Sequence, residues 1–324
     1  MRVLYMSHRY HTNQNTIMKG WVENGHKICF LSQYAGKIED YTYVRPVVVG
    51  YSAFFRFINY IYANILFRKN PYAMDMRLKY GIPPIWKVRK LIKEFKPDVA
   101  ILRERSIYTI CLNAICRSLH VPTILYNLSP VWDKPRKMDM AHKIVWKLTP
   151  EYRMTPAQLV GVDYTGLVKD EKGYFAPFLM EPGTAPEDRS YFKDGRIHVF
   201  SIGKYLEQKN HVMMVKAIEG LLDKYPLHLT IAGEVSNDFH KEHFAYLQKY
   251  ISDHHLEKHV TLLKNLNKEQ VCAQYSQSDV YVLAGTREAA SITMIEAMAF
   301  SVPAISGSDN GTASYIEEGI NGNV

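Results

Sequence analysis

The sequence predicts an α/β protein made of two doubly wound, parallel-sheet domains, and three observations support this. Short apolar strand segments alternate with helix-length amphipathic ones in both halves of the chain. A stretch rich in Pro, Gly and charge separates the two runs. At 324 residues the chain is long enough for about two hydrophobic cores.

In the first run the strands are expected at Arg2–Ser7, Lys27–Ser32, 98–102 and 122–126. The helices are expected at 16–24, Ile85–Phe95 and 106–119, with Gly25 ending the first of them. Residues 41–80 are aromatic and basic with weak periodicity, and read as an insertion in this domain. After the linker, strands are expected at Ile197–Ile202, Leu227–Gly233, 260–263, 279–284 and 303–306. Helices are expected at 211–224, 239–251, 268–276 and 293–300, with Asn210 as an N-cap. The domains are therefore placed at 1–180 and 196–324, joined by 181–195. Strand–helix–strand units of this length wind right-handed, and their ligands sit beyond the carboxyl ends of the strands. With two domains facing each other, that location is the cleft.

Composition narrows the function classes. Hydrophobic residues make up 47% and charged residues 22%, ordinary values for a globular protein. No segment approaches the roughly 20 unbroken apolar residues of a membrane helix. After Met1 the chain runs from Arg2 straight into a strand-like segment, without a signal-peptide pattern, so a cytoplasmic location is expected, with peripheral membrane attachment left open. Cys29, Cys111, Cys116 and Cys272 lack metal-ligand spacing, no D-x-D sequence occurs, and no essential metal or cofactor is expected. The net charge of +8 is concentrated: between Arg56 and Lys96 ten basic residues face only Asp75 and Glu94. No nucleic-acid-binding module accompanies that charge, which sets nucleic acid aside.

The segment 286–305, TREAASITMIEAMAFSVPAI, follows the strand DVYVLAG and runs into a helix. The helix start at Ser291, Ile292 and Thr293 offers unpaired N–H groups and about half a positive charge, a natural seat for a diphosphate. Glu288 lies before that helix and Glu296 on it, so the two carboxylates can meet opposite ends of a nucleotide diphospho-sugar.

Glu288, seven residues, then Glu296-Ala297-Met298-Ala299 and a later Pro303 resemble the signature of family-4 retaining glycosyltransferases of the GT-B fold, two facing Rossmann-like domains. Asn310-Gly311, Ile316-Glu317-Glu318-Gly319 and Asn321-Gly322 follow in the family's order. Upstream, Gly203-Lys204-Tyr205-Leu206-Glu207-Gln208-Lys209 is similar to its G-R-x-x-x-x-K segment. The resemblance implies that Glu288 contacts the donor sugar, that Glu296 holds the ribose hydroxyls, and that Lys204 and Lys209 reach the diphosphate. It further implies a metal-independent hexosyltransferase of bacterial cell-surface polysaccharide, such as O-antigen, capsule or lipopolysaccharide. The donor is a nucleotide-sugar, UDP favoured over GDP, and the acceptor a glycan or lipid-linked saccharide.

The sequence also departs from the family. Ser291 and Asn310 stand where Gly is usual, and Ser7–Asn15 (SHRYHTNQN) has no Gly where a Gly-rich loop is usual. His8, His11, Arg103 and Glu104 are the candidates to complete the site from the first domain. Relatives continue beyond the Asn321-Gly322 element, so a truncated C-terminal end is expected. Trp86, Lys87, Arg89, Lys90 and Lys93 form a basic, aromatic helix that suits an anionic membrane surface or the acceptor. Two other readings remain open from sequence: a nucleotide-sugar epimerase of the same fold, and a non-catalytic nucleotide-binding member.

Overall fold

A computed structural model describes residues 1–324 except 37–39, 63–77, 136–137, 160–164 and 287. Its contacts divide into two compact units. The first comprises Met1–Asn127, Val131–Thr155 and Gly166–Leu179. The second comprises Leu128–Pro130, Pro156–Thr165 and Met180–Val324.

Among the described residues, the first unit holds a parallel sheet. Its strands are β1 (Arg2–Ser7), β2 (Lys27–Ser32), β3 (Val47–Val48), β4 (Val99–Arg103), β5 (Thr123–Tyr126), β7 (Tyr152–Thr155) and β9 (Gly173–Phe175), in the order β3-β2-β1-β4-β5-β7-β9. β6 (Trp132–Asp133) and β8 (Val168–Lys169) form a separate antiparallel pair. The near-continuous apolar run of β1 follows from burial on both faces. Leu4 and Met6 pack with Leu31, Leu102, Val88 and Leu112, while Tyr5 stacks on Phe30 from the other side.

Among the described residues, five helices belong to this unit: α1 (Thr12–Glu23), α2 (Ala53–Ile61), α3 (Ile85–Phe95), α4 (Ile107–Ser118) and α5 (Met140–Leu148). On α3 the apolar residues Val88 and Ile92, four apart, are buried, and Lys87, Lys90 and Lys93 are left in solvent. The first helix begins at Thr12 and not at 16, because Gln14 Oε1 accepts the His11 N–H and closes the first turn early. The 41–80 stretch contributes the edge strand β3 and helix α2, and its residues 63–77 lie outside the described residues.

Among the described residues, the second unit holds a six-stranded parallel sheet ordered β12-β11-β10-β13-β14-β15. These strands are β10 (Ile197–Ile202), β11 (Leu227–Gly233), β12 (Val260–Lys264), β13 (Val280–Leu283), β14 (Ala304–Ser306) and β15 (Gly322–Asn323). The helices are α6 (His211–Glu219), α7 (Asp238–Asp253), α8 (Lys268–Gln277) and α9 (Ile292–Ala299). α6 stops five residues short of the expected 224, at Gly220, whose N–H returns to the Lys216 carbonyl.

The 181–195 stretch is tied into this second unit. The Arg189 guanidinium donates to the carbonyls of Tyr275, Ser276 and Ser278, closing the C-terminal end of α8. Asp279 accepts the N–H groups of Phe192 and His198 at 2.8 and 2.7 Å.

Candidate functional site

In a doubly wound sheet the crevice opens where neighbouring strands send their connections to opposite sides. In the second unit that point lies between β10, whose chain continues to β11, and β13, whose chain continues to β14. The two loops leaving it are 203–210 and 284–291, and they carry Gly203, Lys204, Lys209, Glu288 and Ser291.

Among the described residues, four polar links join these loops. Thr286 N–H donates to the Gln208 carbonyl, and Gln208 Nε2 donates back to the Thr286 carbonyl, both at 3.1 Å. Asn210 Nδ2 donates to the Ala284 carbonyl at 2.8 Å. Lys209 Nζ lies 2.5 Å from Glu288 Oε1, with side chains 24% and 13% exposed, an ion pair largely withdrawn from water. Asn210 stands at the N-cap position expected of it, but with left-handed backbone (φ 52°) and a side chain spent on Ala284 instead of the helix.

Close approach fixes two glycines here. A Cβ on Gly233 would lie 2.2 Å from the Gly203 carbonyl oxygen, and one on Gly285 would lie 2.5 Å from Glu288 Oε1. Beneath the first loop, Tyr205 is fully buried and its hydroxyl reaches the carbonyls of Ile231 and Leu263. Gly203 packs against the aliphatic stem of Lys209. Lys204 behaves differently. Its ammonium is half exposed and 3.8 Å from Glu234, whose carboxyl is held below its usual range chiefly by Ser236 and then by Lys204.

The second loop is anchored from below by a buried polar hub. Asn310 Nδ2 donates to Ser306 Oγ, and Asn310 Oδ1 accepts from Thr312. Thr312 Oγ1 accepts the Ser291 N–H at 3.1 Å, and Gly311 N–H donates to the Glu288 carbonyl at 2.9 Å. Ser291 sits at φ −96°, a conformation any side chain tolerates, so its replacement of Gly strains nothing.

No side chain caps α9. The Ser291 hydroxyl instead bonds Thr293 Oγ1, which bonds the buried Tyr281 hydroxyl at 2.7 Å. Among the described residues, the N–H groups of the helix's first turn, Ile292 and Thr293, are thus left without a side-chain acceptor. Glu296, one turn along, meets the Tyr275 hydroxyl at 3.0 Å. Burial pushes its carboxyl above the usual range, against smaller opposing pulls from Tyr275 and Lys268.

The first unit has its own switch point, between β1 and β4. His8 and His11 follow β1, while Arg103 ends β4 and Glu104 follows it, so the fold brings all four together. The Arg103 charge is felt at His8, His11 and Glu104. Burial, then Arg9, Arg103 and His8, lower His11 to about 4, and burial raises Glu104. Glu104 takes left-handed backbone (φ 60°), a strained choice of the kind found at functional sites. Sequence reasoning missed Ser7, Ser32 and Gln33 at the same edge. Among the described residues, Ser7 Oγ and Ser32 Oγ are buried without hydrogen-bond partners. The available signal was that two consecutive apolar strands both end in Ser.

On α3 Trp86 is 83% exposed, Lys90 pairs loosely with Glu94, and Arg89 donates to Ser118 Oγ. A second apolar surface went unread in the sequence: α5 buries none of its residues and exposes Met140, Ile144 and Leu148 at four-residue spacing. Among the described residues, no helix is long and apolar enough to cross a membrane, and no group of three His, Cys, Asp or Glu side chains could hold a metal.

Residues 186–324 match the family model "Glycosyl transferases group 1". Among solved structures, the whole chain superimposes on 83% of a glycosyltransferase from Rickettsia africae, with TM-score 0.70 and 13% identity. It also covers 85% of Anabaena Alr3699/HepE in complex with UDP and glucose (TM-score 0.67, 12% identity). A third likeness is to 85% of the lipopolysaccharide outer core galactosyltransferase WaaB, with TM-score 0.59 and 16% identity. No curated protein matches the sequence. The fold is GT-B, with one Rossmann-like sheet in each unit.

Proposed function

We propose that the protein is a retaining, metal-independent glycosyltransferase of the family-4 type. It would move a hexosyl group from a UDP-sugar to a glycan or lipid-linked saccharide during envelope polysaccharide synthesis, at the cytoplasmic face of a membrane. The observation that carries this reading is the Lys209–Glu288 pair at the β10/β13 switch point, beside the uncapped start of α9. UDP and glucose bound to HepE, and the lipopolysaccharide substrate class named for WaaB, support the donor and acceptor classes.

In this reading the diphosphate lies on the N–H groups of Ile292 and Thr293, with Lys204 and Lys209 reaching its oxygens. Negative charge grows there as the anomeric bond breaks, and the fixed cations and helix dipole stabilise it. Glu288 orients the sugar, Glu296 receives the ribose hydroxyls, and the acceptor attacks from the face the diphosphate leaves. The polar edge of the first unit, His8, His11, Arg103 and Glu104, takes the acceptor. Trp86, Lys87, Arg89, Lys90 and Lys93 of α3 hold the protein against anionic headgroups.

Thermal shift with UDP, GDP and ADP on wild type and Glu296→Ala tests the donor site. A rise in Tm with UDP, abolished in the variant, is expected. A larger shift with GDP or ADP would replace the base, and no shift with any of the three would remove the donor reading.

A further inference from the structure

Tyr275 is 1% exposed, yet its hydroxyl is placed on functional atoms. It lies 3.1 Å from the Thr293 carbonyl and 3.0 Å from Glu296 Oε2, so one phenolic proton faces two acceptors in the first turns of α9. The ring cannot swing away. Phe200 meets it edge-on at 5.4 Å between centroids, Phe300 stacks on it at 5.6 Å, and Tyr281 lies at 6.1 Å. The backbone is held as well, because Arg189 takes the Tyr275 and Ser276 carbonyls. The groups facing Glu296 are Lys268, Cys272 and Tyr275 from α8 and Tyr281 from β13. Of these, Tyr275 is the one that hydrogen-bonds its carboxylate.

A carboxylate on a helix surface samples several rotamers, and fixing one before the ligand arrives lowers the ordering cost of binding. We propose that Tyr275 is a positioning residue for the donor, holding the Glu296 carboxylate in the orientation that accepts the ribose hydroxyls. The proposal rests on the donor-site reading above and adds to it a residue that does not itself touch the nucleotide. The same hydroxyl suits both states of the site. With Glu296 ionised it donates to the carboxylate, and if a ligand draws that oxygen away, the Thr293 carbonyl accepts the proton and no buried donor is left unpaired.

The test is a titration with UDP and 2′-deoxy-UDP on wild type, Tyr275→Phe, Glu296→Ala and the double variant. Tyr275→Phe keeps every ring contact and is expected to fold. Losing a hydrogen bond to a charged group should weaken UDP binding about tenfold and largely erase the preference for UDP over 2′-deoxy-UDP. In the Glu296→Ala background the same change should cost nothing further. Unchanged affinity in Tyr275→Phe, or an equal loss in both backgrounds, would overturn the proposal while leaving the donor site standing. If Glu296→Ala itself left UDP binding intact, the donor reading would fail at Glu296 and the proposal with it.

Discussion

Lys209 and Glu288, 79 positions apart in the chain, meet at 2.5 Å where β10 and β13 part company. The pair ties the 284–291 loop to the 203–210 loop, so in the proposed reading the two ends of a donor would be sensed together. Replacing Lys209 by Met leaves Glu288 poorly solvated without its cation. The expected cost is about 2 kcal/mol in urea unfolding, between exposed and fully buried pairs. Glu288→Gln should leave UDP affinity within a few-fold of wild type and strongly reduce transfer from the UDP-sugar. Equal losses in UDP binding for both variants would refute this division of roles.

Gly233→Ala should disturb the site from the neighbouring strand. The new methyl would press on the Gly203 carbonyl and the Tyr205 ring, which lies 2.8 Å from the Cβ position. Overpacking of this kind costs about 1–3 kcal/mol. Because Gly203 opens the loop proposed to reach the diphosphate, UDP affinity should fall along with Tm, whereas an exposed substitution such as Lys258→Ala should alter neither.

Acid should destabilise the protein through His211. It is 1% exposed, and burial, then His243 and Lys209, lower it to about 3 in the folded chain. In the unfolded chain a histidine titrates near 6.5, so below that pH the unfolded state takes up a proton that the folded state refuses. Stability from this group is therefore intact at pH 7 and declines as pH falls from about 6.5 toward 3. The loss amounts to about 2 kcal/mol at pH 5. Unfolding free energies at pH 7 and 5 for wild type and His211→Leu check it: the variant should be less stable at pH 7 but show a flatter slope.

Attachment to an anionic surface should depend on α3. Lys87, Lys90 and Lys93 are exposed, and each basic residue near such a surface contributes about 1 kcal/mol. Sedimentation with phosphatidylglycerol vesicles should recover wild type at low salt and lose Lys90→Glu/Lys93→Glu. Retention of that double variant would shift attention to Met140, Ile144 and Leu148 of α5.

Much of this was legible in the sequence because strand burial and helix amphipathicity leave a periodic trace. Ile85–Phe95 matches its helix residue for residue, and strands β1, β2, β4, β5 and β10 to β14 follow from alternation. The two loops at the β10/β13 switch point stood out in the sequence because the charged residues of each lie close together. What could not be read was pairing across distance, since nothing local ties Lys209 to Glu288 or Lys204 to Glu234. The region from Trp132 to Phe175 left no trace either. Its strands are two to four residues long and its helix buries nothing, so no period accumulates.

The grip of Arg189 on the end of α8 sets where this protein can be recombined with others. A chimaera joined at 196 would leave the carbonyls of Tyr275, Ser276 and Ser278 bare and deprive Asp279 of the Phe192 amide. A graft meant to carry the second unit into another scaffold should therefore begin upstream of Pro186, taking the tether along as the clasp of its own last-but-one helix.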